Sequence, residues 1–141
     1  LVNDADAAGV AEAHFGAARD RGGVVLMTTL GTGIGSALIH DGVLVPNAEL
    51  GHLEIDGRVA ERWAAASVRT REELDWQAWA ERLTVYYRHV ERLFSPDLIV
   101  VGGGVSSHGE EFLPLIDIKT EIVAAHLQNR AGIVGAAFLA H

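Results

Sequence analysis

The chain has 141 residues, room for one ordinary globular domain, and is 49% apolar and 21% charged, a balance that supports a packed core and argues against disorder. Asp and Glu number 19 against 11 Lys and Arg, a formal net charge of −8; such a surface repels a phosphate backbone and argues against nucleic-acid binding. No apolar run reaches the roughly 18 residues of a membrane span and no secretory leader pattern is visible. Cys is absent, which removes disulfides and thiolate chemistry and fits a cytoplasmic protein.

Residues 4 to about 20 (DADAAGVAEAHFGAARD) predict an Ala-rich helix with Asp4 as its cap, ended by Gly22-Gly23. Val24 to Leu30 is a continuous apolar and β-branched run, the pattern of a buried strand. Gly31-Thr32-Gly33-Ile34-Gly35 follows as a glycine-rich turn, then a strand from Ser36 to His40 and a third from Val43 to Val45. Asp41-Gly42 between those two is a strong hairpin signal, and Pro46 closes the hairpin.

Residues 47–57 (NAELGHLEIDG) are polar and glycine-punctuated, and Arg58 to Ser67 predicts a short helix. Glu72 to Phe94 is the longest helical signal, with Leu74, Trp76, Trp79, Leu83, Tyr86, Val90 and Leu93 near a 3.6-residue period. Ser95-Pro96-Asp97 breaks it. Leu98 to Val101 predicts a strand running into Gly102-Gly103-Gly104. A helix from Glu110 to Leu113, a strand from Glu121 to Ala125 and a small-residue helix from Ala131 to Ala140 complete the order. Three strands followed by alternating β and α is the layout of an α/β, ribonuclease-H-like lobe of the actin type.

Asn3-Asp4 at a helix start has two meanings: a cap with its neighbour, or a carboxylate held by secondary structure where it can take a substrate proton. The Gly31–Gly35 turn either needs positive φ or presents backbone N–H groups, with the Thr32 hydroxyl, to phosphate oxygens. Gly102-Gly103-Gly104 is either a tight β–α turn or a place where a ligand approaches the backbone closely. Glu49, His52 and Glu54 flank Gly51. No second ligand pair accompanies them, so no protein-held metal is expected; a carboxylate with an imidazole also suits vicinal sugar hydroxyls.

Taken together, Asn3-Asp4-Ala5-Asp6, Leu30 to Gly35, Glu49-Leu50-Gly51-His52 and Gly102-Gly103-Gly104 resemble the ROK family of bacterial sugar kinases and regulators, in order and spacing, from Val2 to the final helix. Residues 47–57 and 127–137, with the missing zinc cysteines, look most like the polyphosphate-dependent glucokinases of that family. The resemblance implies an actin/hexokinase-type ATPase lobe. It also implies transfer of a terminal phosphoryl group from polyphosphate, or ATP, to the 6-hydroxyl of glucose. Asp4 would then be the base, and Asn3, Glu49, His52 and Glu54 would hold the sugar. Gly31, Thr32, Gly33 and Gly35, with Gly102, Gly103 and Gly104, would hold the donor phosphates, with Mg²⁺ riding on them. Lys119 and Arg130 are candidates for relieving the donor's charge.

The family's first lobe, with its acidic phosphate loop, has no counterpart in these residues, and Leu1 leads almost directly into Asn3-Asp4. The expectation is therefore the C-terminal lobe of a two-lobe kinase, inactive alone and homodimeric in its full-length form. Trp63, Trp76 and Trp79 are either core or interface. The alternatives are the corresponding lobe of a sugar-responsive repressor, against which the missing cysteines and the intact Asn3-Asp4 argue, or a non-catalytic remnant, which leaves Asp4, Glu49 and His52 without a role.

Overall fold

Two α-helices of different character cover the two faces of one sheet, and the alternation of side chains along its middle strands dictates this. The computed structural model describes residues 3–127. Helix α1 (Asp4–Phe15) is followed by strands β1 (Val24–Leu30), β2 (Ile34–His40) and β3 (Val43–Val45). Beyond a 3₁₀ turn at Leu50–His52 come the two-residue strands β4 (Glu54–Ile55) and β5 (Arg58–Val59), then helices α2 (Ala60–Ala64), α3 (Ala66–Arg71) and α4 (Trp76–Phe94). Strand β6 (Leu98–Gly102), a 3₁₀ segment at Gly104–His108, helix α5 (Gly109–Phe112), a 3₁₀ turn at Leu113–Leu115 and strand β7 (Ile122–Ala124) follow.

The main sheet has the order β3-β2-β1-β6-β7, with β1, β2 and β3 antiparallel and β6 and β7 parallel to β1 and to each other. This is the expected α/β architecture. Leu26 and Leu30 of β1 and Ile99 and Val101 of β6 pack on α4 through Trp79, Leu83, Tyr86 and Val90. Val25, Met27, Leu98 and Val100 pack on the Ala8 and Ala11 side of α1. Both faces of β1 are covered, which is why its sequence is a continuous apolar run. One polar pair crosses this core: Thr28 Oγ1 and Tyr87 OH lie 2.7 Å apart, and burial holds the Tyr87 phenol above its ordinary range.

Several boundaries differ from the sequence expectation. Helix α1 stops at Phe15 rather than near residue 20, where the buried Glu12 carboxylate accepts the Ala17 N–H at 2.7 Å. The Arg58–Ser67 helix is instead strand β5 and two short helices: Asp56 and Gly57 take φ of +54° and +78° and turn β4 back on β5. Helix α4 starts at Trp76, where Asp75 caps the Ala78 N–H at 2.7 Å, and not at Glu72. Its apolar stripe continues at Phe94, leaving Leu93 54% exposed. Trp79 is fully buried, while Trp63 and Trp76 pack against the same core from its margin. Asp41-Gly42 forms the expected hairpin turn with φ of +48° and +82°. The expected Ala131–Ala140 helix lies outside the described residues. No helix among the described residues is long and apolar enough to cross a membrane.

Candidate active site

Helix α1 begins where it does because Asn3, in extended conformation, accepts the Asp6 N–H through Oδ1 at 2.7 Å. The cap is Asn3, not Asp4. Asp4 is thereby an exposed carboxylate in the first helical turn with no capping duty. Small residues let α1 lie close on β2: a β-carbon at Gly9 would meet Ala37 Cβ at 2.8 Å, and one at Gly35 would meet Ala5 Cβ at 3.1 Å. That approach sets Asp4 beside the start of β2.

Asn3, Asp4, Thr29, Gly35, Ser36 and Glu49 line a cleft of about 230 Å³. A second cleft of about 340 Å³ is lined by Gly31, Thr32, Gly33, Gly103, Gly104 and Glu61. Thr29, Gly35 and Glu49 belong to both, so the Asp4 cleft and the glycine cleft share one wall.

None of Gly31, Gly33 and Gly35 has a positive φ. The loop does not need glycine for its turn; it needs the space. At Gly33 a β-carbon would press on the Glu61 carboxylate, and at Gly35 on Thr29 Oγ1. At Gly31 and Gly104 nothing lies within 4 Å, so only open cleft would receive a side chain there. Gly103 differs: its φ is +90° and a β-carbon would strike the Leu30 backbone carbonyl. The loop's carbonyls are used by the protein. Ser67 donates its N–H to Gly31 O at 3.0 Å and its hydroxyl to Thr32 O at 2.8 Å, and the Gly31 N–H donates to Gly33 O at 3.0 Å. The N–H groups of Thr32 and Gly33 have no acceptor among the described residues.

The structure thus brings Asn3, Asp4 and Glu49 together, and Gly31, Thr32, Gly33 and Gly35 with Gly103 and Gly104. It does not bring in the remaining three candidates. Gly102 is buried in β6 against Met27 Cε and lines neither cleft. Glu54 is exposed on β4. His52 lines neither cleft, but its Nε2 stands 3.7 Å from Glu61 Oε2. Glu61 itself carries no sequence motif: it sits in the first turn of α2 and its Oε1 accepts the Ile34 N–H at 3.0 Å. The one signal for it was a carboxylate near the start of a predicted helix.

Asp4, Glu49 and Glu61 make the clefts acidic, and among the described residues no Lys or Arg lines either one. Lys119 lies elsewhere. Parallel β6 and β7 pair with Ile99 opposite Ile122, so Lys119 precedes β7 at the end where β6 begins, while the glycine turn follows the other end of β6. There it lines a separate groove with Arg88 and Arg92. Arg130 lies outside the described residues. No three His, Asp or Glu side chains converge on a point among the described residues.

No protein-family profile matches the chain. It is 48% identical over 137 residues to a polyphosphate glucokinase of Mycobacterium leprae, covering 97% of this chain and 42% of that one. A polyphosphate glucokinase of Mycobacterium tuberculosis is 47% identical, with 52% of its length covered. This chain is homologous to these polyphosphate glucokinases. It spans about half the length of these curated relatives. Among solved structures, the polyphosphate/ATP-glucomannokinase of an Arthrobacter strain superposes with a TM-score of 0.96 at 57% identity, over 99% of this chain and 56% of that one. A ROK glucokinase of Streptomyces griseus, solved with glucose and AMPPNP, gives a TM-score of 0.87 at 24% identity over 99% of this chain and 67% of that one, a likeness of fold. The actin/hexokinase-like fold expected from the sequence is therefore the fold that this chain shares with these sugar-kinase structures.

Proposed function

We propose that the chain is the C-terminal lobe of a two-lobe kinase that transfers a phosphoryl group from polyphosphate, or ATP, to the 6-hydroxyl of glucose. The observation that carries this reading is the shared wall: the exposed Asp4 carboxylate on one side of Thr29, Gly35 and Glu49, and on the other the Thr32 and Gly33 N–H groups, which have no acceptor among the described residues. Phosphoryl transfer asks of a protein mainly positioning and charge stabilisation, and adjacent acceptor and donor clefts supply the positioning.

In this proposal Asp4 takes the proton of the 6-hydroxyl as its oxygen bonds to the terminal phosphorus and the bond to the bridging oxygen breaks. Asn3 already uses Oδ1 as a helix cap, so its Nδ2 donors are what it can offer the sugar. Glu49 accepts from sugar hydroxyls on the shared wall. His52 and Glu54, outside both clefts, are not included. The Thr32 and Gly33 N–H groups and the Thr32 hydroxyl meet the donor phosphates.

The acidic lining bears on Mg²⁺. Glu49 and Glu61 are hard oxygen donors on the glycine cleft, and no complete cage accompanies them among the described residues. That set suits a partly hydrated ion carried by phosphates, with Glu49 and Glu61 facing it. Bound in that way, Mg²⁺ would neutralise part of the donor's charge.

The test is glucose 6-phosphate formation by the protein with both lobes present, supplied with polyphosphate or ATP. Turnover that stops on removing the residues of this chain is expected. Glucose binding without transfer from either donor would overturn the kinase reading.

A further inference from the structure

The loop that carries Glu49 is irregular. Asn47 has a φ of +63°, Glu49 is exposed, and no helix or strand holds the chain between Val45 and Leu50. A side chain that must meet a sugar at fixed angles cannot depend on such a loop unless something outside it fixes the backbone. Two buried polar residues do so. Ser36, on β2 and 2% exposed, donates its hydroxyl to Ala48 O at 2.9 Å and accepts the Leu50 N–H at 2.9 Å. Those two groups bracket Glu49. Asp6, on α1 and 1% exposed, accepts the Asn47 N–H through Oδ2 at 3.2 Å.

We infer that Ser36 and Asp6 are positioning residues for the sugar site, clamping the Glu49 loop to β2 and to the helix that carries Asp4. The inference rests on the assignment of Glu49 to the sugar. Ser36 lines the Asp4 cleft, but its one proton and one of its lone pairs are spent on the loop, so it acts through Glu49 and does not compete for the ligand. Among the described residues no cation pairs with Asp6, and its Oδ1 has no partner. The first turn of α1 is where a buried carboxylate without a cation is best tolerated, because the helix N-terminus carries partial positive charge. The arrangement gives α1 two functions two residues apart in sequence: Asp4 at the cleft, and Asp6 beneath the loop that presents Glu49. The sugar hydroxyl acceptor and the base are thereby held to two elements, α1 and β2, packed together across a contact in which Gly35 and Ala5 leave no slack.

The experiment compares Ser36→Ala, Ser36→Thr and Glu49→Gln in the protein with both lobes present. Ser36→Ala removes both hydrogen bonds, and an about tenfold rise in the KM for glucose is expected, the size of a lost buried hydrogen bond. The KM for the phosphate donor should stay within about twofold, and Ser36→Thr, which keeps the hydroxyl, should recover most of the loss. An unchanged glucose KM in a folded Ser36→Ala protein, with Glu49→Gln impaired, would overturn the inference and leave the sugar assignment standing. An unchanged glucose KM in Glu49→Gln would overturn the assignment itself. Hydrogen exchange in the unmodified protein supplies a check that needs no variant: the Leu50 and Asn47 amides should be protected, and free exchange at both would contradict the clamp.

Discussion

Gly35 on β2 faces Ala5 on α1 across a gap that admits no side chain: a β-carbon at position 35 would lie 3.1 Å from Ala5 Cβ and press on Thr29 Oγ1. Because Ala5 follows Asp4, this contact sets how close the candidate base comes to the wall shared by the two clefts. Gly35→Ala is expected to destabilise by about 1–3 kcal/mol, as overpacking does. It should also reduce turnover more than that loss explains, because α1 must move back. Chemical unfolding with kcat measured on the folded fraction checks both.

The glycines of the two loops should separate by role. Gly103→Ala places a β-carbon on the Leu30 carbonyl at a φ of +90°, and a loss of about 2 kcal/mol or more is expected. Gly31→Ala meets nothing within 4 Å, so stability should stay within about 0.5 kcal/mol. Its effect should fall on the donor KM. Thermal melts and donor titrations of the two variants give the comparison.

Much of the fold was legible in the sequence because it is written in long periods. β1 is covered on both faces and reads as an unbroken apolar run; α4 repeats every three to four residues; Asp41-Gly42 turns a hairpin by its φ values. The β4–β5 hairpin was not, since two-residue strands show no alternation. The residues of the site were mostly legible as motifs, but their grouping was not. Asp4 shares a cleft with Glu49 because Gly9, Gly35, Ala5 and Ala37 let α1 approach β2, and these residues are too small to carry a hydropathy signal. Glu61 stayed hidden because a carboxylate in a helix's first turn has an ordinary explanation in the helix dipole.

Ser67 ties α3 to the glycine loop through Thr32 O at 2.8 Å. Ser67→Ala keeps the backbone bond to Gly31 O and loses only the hydroxyl. A stability cost of about 0.5–1.5 kcal/mol is expected. The donor KM should rise several-fold while the glucose KM does not move, which steady-state kinetics with each substrate varied in turn will show.

Acid stability offers a test away from the site. Burial works against ionised Glu91, but hydrogen bonds from the Thr120 hydroxyl, the Thr120 N–H and the Lys119 N–H outweigh it and hold the carboxyl below its ordinary range. A depressed folded value contributes stability above the ordinary carboxylate pKa of about 4.3, and that contribution is lost as pH falls through the folded value. Thr120→Val should therefore be less stable than the unmodified protein near neutrality, and the two should converge as the pH falls through that range. Unfolding curves across the acid range check it; a gap that widens on acidification would contradict it.

The most direct measurement is Asp4→Asn in the protein with both lobes present, with glucose binding and phosphoryl transfer followed separately. Asp4 caps nothing, so the variant should fold and bind glucose with little change. Transfer from polyphosphate and from ATP should fall by about 10²–10⁴-fold, the usual contribution of a positioned general base. Near-normal turnover from either donor would contradict the assignment of Asp4 as the base.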